Sequence, residues 1–494
     1  MVDILSRPPT TNVATATAAV RAAPAQAEGD EPQLMDLGAM LRESPPWLVS
    51  AVVHMAVMII FGLMVVQANF RPDLLLDAGY SDDVGDPLEN DLDTLQNQFE
   101  VDNNPVTAQN LPIVEDPLAT PNIADLTPMP AMPTGPAIAP TAIGVALTGR
   151  EPGMKEAMLL SGGGTAKTEG AVAMGLKWLA AQQHRTGLWS LSGPYSDGSQ
   201  TENPEAATAM ALLAFQGAGY TPADDSQKAF TPVVRRGWAA LLKRMESDGR
   251  FFHDVPTSHQ LYTQAQCTIA LCELYAMTGD AAYYDAAQKA VDYCVRIQSP
   301  EGGWRYNPGE DSDTSVTGWF VMALQSARMG GIEVPSPVFD KITKYLDSVA
   351  RDEGARYSYQ VQAGATLPLS AEGLLCRQYL GWPHDDPRLN AGVDYLLANS
   401  PDWNKRNAYY WYYATQVLHH MEGKPWRTWN EEMRVLLPDH QEKRGKERGS
   451  WDPKGDRWGD AGGRLYVTCL SICTLEVYYR HLPLYRGGVF SDAR

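Results

Sequence analysis

The sequence has six cysteines, and no two of them stand in a Cys-x-x-Cys spacing. The common zinc-finger ligand patterns are therefore excluded. A chain of 494 residues with 44% hydrophobic content can bury a large core without disulfide staples. Cys267, Cys272, Cys294, Cys376, Cys469 and Cys473 all fall in apolar helical patterns and read as small core residues. Basic charge is also scarce. There are 40 Lys and Arg against 59 Asp and Glu, a net charge of −19, and no basic face that would suit a nucleic acid. Most of the acid excess lies before Thr165, and from Pro72 to Gly149 there is neither Lys nor Arg. No sustained strand-like alternation of polar and apolar residues occurs.

What is present divides the chain into five parts. Residues 1–44 are rich in Ala, Thr and Pro and read as a disordered N-terminus. Trp47 to Ala68 is uncharged, with His54 its only strongly polar ionisable group. At about 1.5 Å per residue it spans roughly 33 Å, enough for a bilayer core of about 30 Å. Pro45 and Pro46 stop a helix from extending backwards, and Trp47 suits the interface. Arg7, Arg21 and Arg42 precede the span and only Arg71 follows it closely. The positive-inside rule then puts the N-terminus in the cytoplasm and the rest of the chain beyond the inner membrane, as a single-pass protein. Residues 69–164 run from an acidic stretch (Asp82, Asp83, Asp86, Glu89) into Pro-, Ala- and Thr-rich sequence, and read as a tether. Residues 165–485 form the globular domain, and 486–494 a short tail.

Self-similarity is the main signal in 165–485. A helical run ends in Gln or a substitute, then comes Gly, then an aromatic. The best copies are Gln183…Gly187…Trp189 and Gln298…Gly302…Trp304. Weaker ones end at Phe251, Tyr357, Trp403 and Trp451. Each turn follows an amphipathic run such as AVDYCVRIQ and precedes a more apolar one such as TSVTGWFVMALQSARMG. Six such hairpins predict an all-α (α/α)6 toroid, with the apolar helices inside and the amphipathic helices outside. The aromatic is expected to stack on the Gln amide.

The Gln-x-x-x-Gly-x-Trp turn resembles the QW repeat of squalene-hopene and related terpenoid cyclases, and the order of hairpins resembles protein prenyltransferase β subunits. The resemblance covers about two-thirds of the chain and implies the toroid fold. For function it implies a hydrophobic, isoprenoid-type ligand bound or cyclised in a central cavity, by isomerase or lyase chemistry without a cofactor. The cyclases carry their proton donor in an Asp-x-Asp-Asp-Thr motif ahead of an inner helix. Here that place holds Glu310, Asp311, Ser312, Asp313 and Thr314. One register puts the donor at Asp313, the other at Ser312. An N-cap of the following helix is the competing role for Asp313. The zinc ligands of the prenyltransferases fall on Ala408, Tyr410 and Val467 here, so no metal is implied. The complement-type thioester motif is absent too. The candidate catalytic residues are therefore Asp313, Asp311 and Glu310. The candidate ligand-binding residues are Tyr262, Tyr306, Trp319, Tyr409, Trp411 and Tyr466, with Arg305, Lys405 and Arg464 in loops before inner helices. The alternative function is a non-catalytic tethered scaffold that binds a protein or polysaccharide.

Overall fold

A computed structural model describes residues 147–223 and 229–485. The span expected at Trp47–Ala68, its flanks and the tail lie outside the described residues. Among the described residues no helix is long and apolar enough to cross a membrane.

Two short helical pieces come first, a 3-10 turn Thr148–Arg150 and α1 (Pro152–Ser161). Both fall within the stretch that the sequence assigns to the tether. Six outer helices then alternate with six inner ones. The outer helices are α2 (Ala166–Ala181), α4 (Thr231–Leu242), α6 (Ala281–Arg296), α8 (Pro337–Val349), α10 (Pro387–Leu397) and α12 (Gly423–Asp439). The inner helices are α3 (Pro204–Gly217), α5 (Thr257–Thr278), α7 (Thr314–Met329), α9 (Leu367–Tyr379), α11 (Ala408–Met421) and α13 (Gly459–Leu475). A last turn, α14 (Val477–Arg480), follows. Each inner helix packs on the next, and α13 packs back on α3, so the inner ring closes.

The burial pattern explains which helix goes where. In α8 the buried positions are Val338, Ile342, Tyr345, Leu346 and Val349. That is one helical stripe, as a helix covered on one side requires. In α11 every residue from Ala408 to Met421 is buried, as a helix enclosed on all sides requires. The helix starts are also written in the sequence. Thr165 and Thr168 form a capping box on α2, and Asn203, Asp313 and Asn407 cap the inner helices α3, α7 and α11. Each such cap satisfies a backbone N–H that has no partner inside the helix.

The repeated turn is a hydrogen-bonded stitch between outer helices. The Gln298 amide donates to Gly302 O at 2.8 Å and to Val338 O, in the next outer helix, at 3.1 Å. Gln183 makes the same pair with Gly187 O and Val233 O, each 2.9 Å. Gln441 joins Gly449 O at 2.8 Å to Ala171 O at 2.7 Å, linking the last outer helix to the first. The Gln amide thus acts through two carbonyls. The indole has its own partners. Trp304 Nε1 donates to Cys294 O at 2.9 Å, and its backbone N–H donates to Thr317 Oγ1 on the inner helix at 3.0 Å. Trp189 and Trp451 repeat both bonds with Leu179 and Thr208, and with Leu437 and Thr468. The fourth repeat differs. Its turn is a small antiparallel hairpin, β1 (Ala350–Arg351) with β2 (Arg356–Tyr357). All six cysteines are buried and unpaired.

Glycine is required at the stitch for two reasons. Gly302 has φ +104, and a Cβ there would lie 2.2 Å from Lys341 O. Both the left-handed backbone and the close approach exclude a side chain. Gly302→Ala is therefore expected to lower stability by about 2–4 kcal/mol, more than the roughly 1–2 kcal/mol expected for Gln298→Ala. Urea unfolding midpoints of the two variants check this order.

Candidate functional site

All six inner helices are entered from an outer helix through a turn, so all six run parallel. Their N-termini gather at one end, called the mouth here, and their C-termini at the other, the base. Partial positive charge collects at the mouth and partial negative charge at the base.

Asp313 lies at the mouth and is fully buried. Its Oδ1 accepts from the Val316 N–H at 2.8 Å and from Ser315 Oγ at 2.8 Å. Its Oδ2 accepts from the Tyr359 hydroxyl at 2.9 Å, and Arg305 Nε lies 3.5 Å away. It is therefore an N-cap, and it is also the hub of a network. Tyr359 and Ser315 spend their single protons on Asp313, so the Tyr306 hydroxyl donates to Tyr359 (2.7 Å) and the Tyr262 hydroxyl to Ser315 (2.7 Å). Burial pushes the Asp313 carboxyl up to about 6, against the pull of the Val316, Ser315 and Tyr359 donors and of Arg305. Ser312, the other register, is buried, and its hydroxyl accepts from the Gly303 N–H at 3.0 Å.

Arg305 pairs with Asp311 and sits between the rings of Tyr306 and Tyr359, 4.9 and 5.7 Å from their centroids. Glu310 is exposed and held by Asn307. Tyr409 reaches a residue that the sequence reading did not single out. Its hydroxyl donates at 2.5 Å to Glu372, a fully buried carboxyl on α9. Burial pushes Glu372 well above the usual carboxylate range, while the hydrogen bond from Tyr409 pulls the other way, and its Oε1 is buried without a hydrogen-bond partner among the described residues. Gly318 of α7 makes room for it, since a Cβ there would lie 2.0 Å from Glu372 Oε1. The available signal was a lone glutamate in the middle of an inner-helix run.

The remaining candidates divide. Trp319 stacks on Tyr412 at 5.8 Å and meets Tyr413 edge-on at 5.9 Å. Tyr409 meets Tyr413 at 4.9 Å. These rings, with Glu372, fill the middle of the ring below the mouth. Tyr466 is partly exposed. Its phenol is pushed up by burial and by Asp456 and Glu372. Trp411 turns to the outer ring and stacks on Trp403 at 6.0 Å. Its neighbour Tyr410 donates to Leu396 O and Asn399 O, also on the outer side. Lys405 is exposed in a 3-10 turn, Trp403–Lys405. Arg464 is buried and bound to Ser196 O, Ser450 Oγ and Asp197, which ties two loops together. So Asp313, Asp311, Arg305, Tyr306, Tyr262 and Tyr409 converge, while Trp411, Lys405 and Arg464 stand apart from them.

Two clefts lie elsewhere on the domain. One of about 490 Å3 borders the α11–α12 turn at Trp426, Asn430 and Tyr478. Another of about 460 Å3 lies beside the β1–β2 hairpin at Arg351, Arg377 and Trp382. Among the described residues no group of three His, Cys, Asp or Glu is placed to hold a metal ion.

No protein-family model matches the chain, and no curated protein does. Among solved structures, a type II terpene cyclase from Scytonema, bound to geranylgeranyl dihydroxybenzoate, is 13% identical over 64% of this chain and 97% of that one, with a TM-score of 0.43. An α-1,6-mannanase from Salegentibacter is 12% identical over 63% and 99%, with a TM-score of 0.45. An alpha-amylase from Clostridium perfringens is 9% identical over 62% and 98%, with a TM-score of 0.44. Likenesses this distant say nothing about activity, and the toroid stands on the closure of its own inner ring.

The Asp313 environment carries a pH signature. Its carboxyl titrates near 6 when folded, against 3.8 for the unperturbed group. A raised folded value means that the stability contributed is fully present below about 3.8 and is lost as pH rises through about 6. Between about pH 4 and pH 7 the wild-type chain should lose up to about 3 kcal/mol relative to Asp313→Asn, which carries no titrating group there. Denaturant unfolding of both proteins across that range checks the sign.

Proposed function

We propose that the toroid is a recognition domain that engages its partner at the mouth and does not enclose an isoprenoid for cyclisation. The observation that carries this reading is the filled centre. Trp319, Tyr409 and Tyr413 are each buried, and so is Tyr412, which packs against Trp319 and Tyr413. A polyene needs an open apolar chamber with a proton donor facing it. Here the space is occupied, and both oxygens of Asp313 at its top are bound to the chain's own donors. Tyr262, Tyr306, Tyr359 and Tyr466 are each partly exposed and leave an aromatic surface at the mouth, of the kind that recognition sites use. The membrane span and acidic tether read from the sequence fit a domain that searches for a partner at a distance from the bilayer.

A second reading keeps acid chemistry at the mouth. The observation favouring it is the Asp313 carboxyl, raised to about 6 beside partly exposed phenols, because shifted carboxyls concentrate at catalytic sites.

One experiment separates the two readings. The full chain is incubated with farnesyl, geranylgeranyl and squalene-type substrates, alongside Asp311→Asn and Asp313→Asn. No cyclised product is expected from any of the three. Turnover that Asp313→Asn abolishes would establish the acid reading instead. The positive half of the proposal is tested in native cells. A photo-reactive residue in place of Tyr306 should capture a partner, and one in place of Val435, exposed on the outer wall, should not. Equal capture at both positions would contradict a mouth-directed partner.

A further inference from the structure

The base of the ring is built differently from the mouth. Four charged residues meet there, none of them more than 3% exposed: Arg150 at 3%, Glu273 at 2%, Arg480 at 2% and Glu476 at 0%. They come from four places in the chain. Arg150 ends the 3-10 turn before α1, Glu273 sits near the C-terminus of the inner helix α5, Glu476 lies between α13 and α14, and Arg480 ends α14.

One carboxylate oxygen receives both guanidiniums. Glu273 Oε2 lies 2.8 Å from Arg150 Nη1 and 3.1 Å from Arg480 Nη2. Arg480 Nη1 also donates to Leu213 O, at the end of α3, at 2.7 Å, and to Glu476 Oε2 at 3.1 Å. Arg150 donates again to Arg480 O, from Nη2 at 3.2 Å. The segment before the first repeat and the helix after the last are thus tied to the same inner helix and to each other. Backbone approaches reinforce the tie. A Cβ on Gly149 would lie 2.5 Å from Tyr479 O, and one on Gly219, at φ +92, would lie 2.5 Å from Arg150 O. Beyond α1, the Trp426 indole donates to Gly162 O at 2.8 Å.

Electrostatics favours this arrangement at this end. The parallel inner helices present their C-termini, and hence partial negative charge, at the base. Two arginines suit that field. Burial alone would push the Glu273 carboxyl up, but Arg150 and Arg480 together hold it low. Removing one arginine leaves the buried acids under-compensated.

We propose that Leu147–Ser161 is a clasp. By placing Arg150 in the base of the ring, it makes the entry of the chain a folded part of the toroid and fixes that entry at the pole opposite the mouth. The composition of this stretch, read alone, gives a flexible joint. A clasp instead makes 147–161 a folded part of the domain, with its first described residues at the pole opposite the mouth.

Hydrogen exchange on the full chain tests the clasp. In Arg150→Met, amides of 147–161 should exchange about a hundredfold faster, while those of α7, α9 and α11 keep their wild-type rates. Glu273→Gln, which removes the shared acceptor charge, should give the same pattern. Arg150→Lys keeps the charge but loses the fork of donors and should accelerate 147–161 by a smaller factor. Unchanged exchange in 147–161 would overturn the proposal. So would acceleration spread equally over the inner helices, which would make Arg150 an ordinary core residue. If Arg150→Met does not fold, the pattern in Arg150→Lys decides by the same criteria.

Discussion

One side-chain amide bonded to two carbonyls holds the ring. In the turns after α2, α6 and α12, a Gln closes its own Gly turn and reaches the next outer helix with the same nitrogen. A single such bond contributes only about 1 kcal/mol net. Its value here is geometric. It fixes the spacing between outer helices, and the Gly at positive φ lets the turn lie directly against the neighbouring backbone. The Trp that follows anchors the turn to both helices of its hairpin, and its buried indole adds the larger energy. Gln441 performs the same task between the last outer helix and the first, so the inner ring closes on itself instead of continuing as an open solenoid.

The alternation of outer and inner helices makes the inner ones parallel, and that gives the two ends opposite chemistry. The mouth gathers carboxyl groups and phenols at helix N-termini, with Asp313 as a cap and Glu372 a little deeper. The base gathers arginines at helix C-termini. At the mouth the carboxyls are bound mainly by neutral donors of the chain, and at the base the charged groups are bound mainly to one another. At the mouth this leaves an aromatic rim outside and a packed centre within. A toroid fold supports many functions. In this chain the packed aromatic centre and the bound Asp313 oxygens favour recognition at the rim over chemistry inside.

Much of the fold was legible in the sequence. The Gln–Gly–Trp turns and the difference between amphipathic and fully apolar helices gave six hairpins and their inside-out order. The turn at Trp451 looked weak because its Gln and Gly stand further apart, yet it makes the same two bonds as the best copies. Site residues were legible as neighbours but not as partners. Position before an inner helix brought Asp313, Arg305 and Tyr306 together correctly. It could not show that their polar atoms face each other, because that depends on Tyr359 from the next repeat. In the run Tyr409-Tyr410-Trp411-Tyr412-Tyr413 only helix phase decides which rings face the centre. Tyr409, Tyr412 and Tyr413 do, while Tyr410 and Trp411 face outward. Arg150 was hidden by its neighbours. The Pro- and Ala-rich sequence before it reads as tether, and the carboxylate that holds it lies 123 residues away.

The filled centre of the ring is the claim on which the functional reading rests. An apolar chamber large enough for a polyene would take up xenon, as dry protein cavities do. Diffraction from crystals of the chain held under xenon pressure tests this directly. The predicted result is no xenon density among Trp319, Tyr409, Tyr412 and Tyr413, with those rings in mutual contact. Ordered xenon at that position would mean an open chamber and would contradict a recognition domain with a closed core.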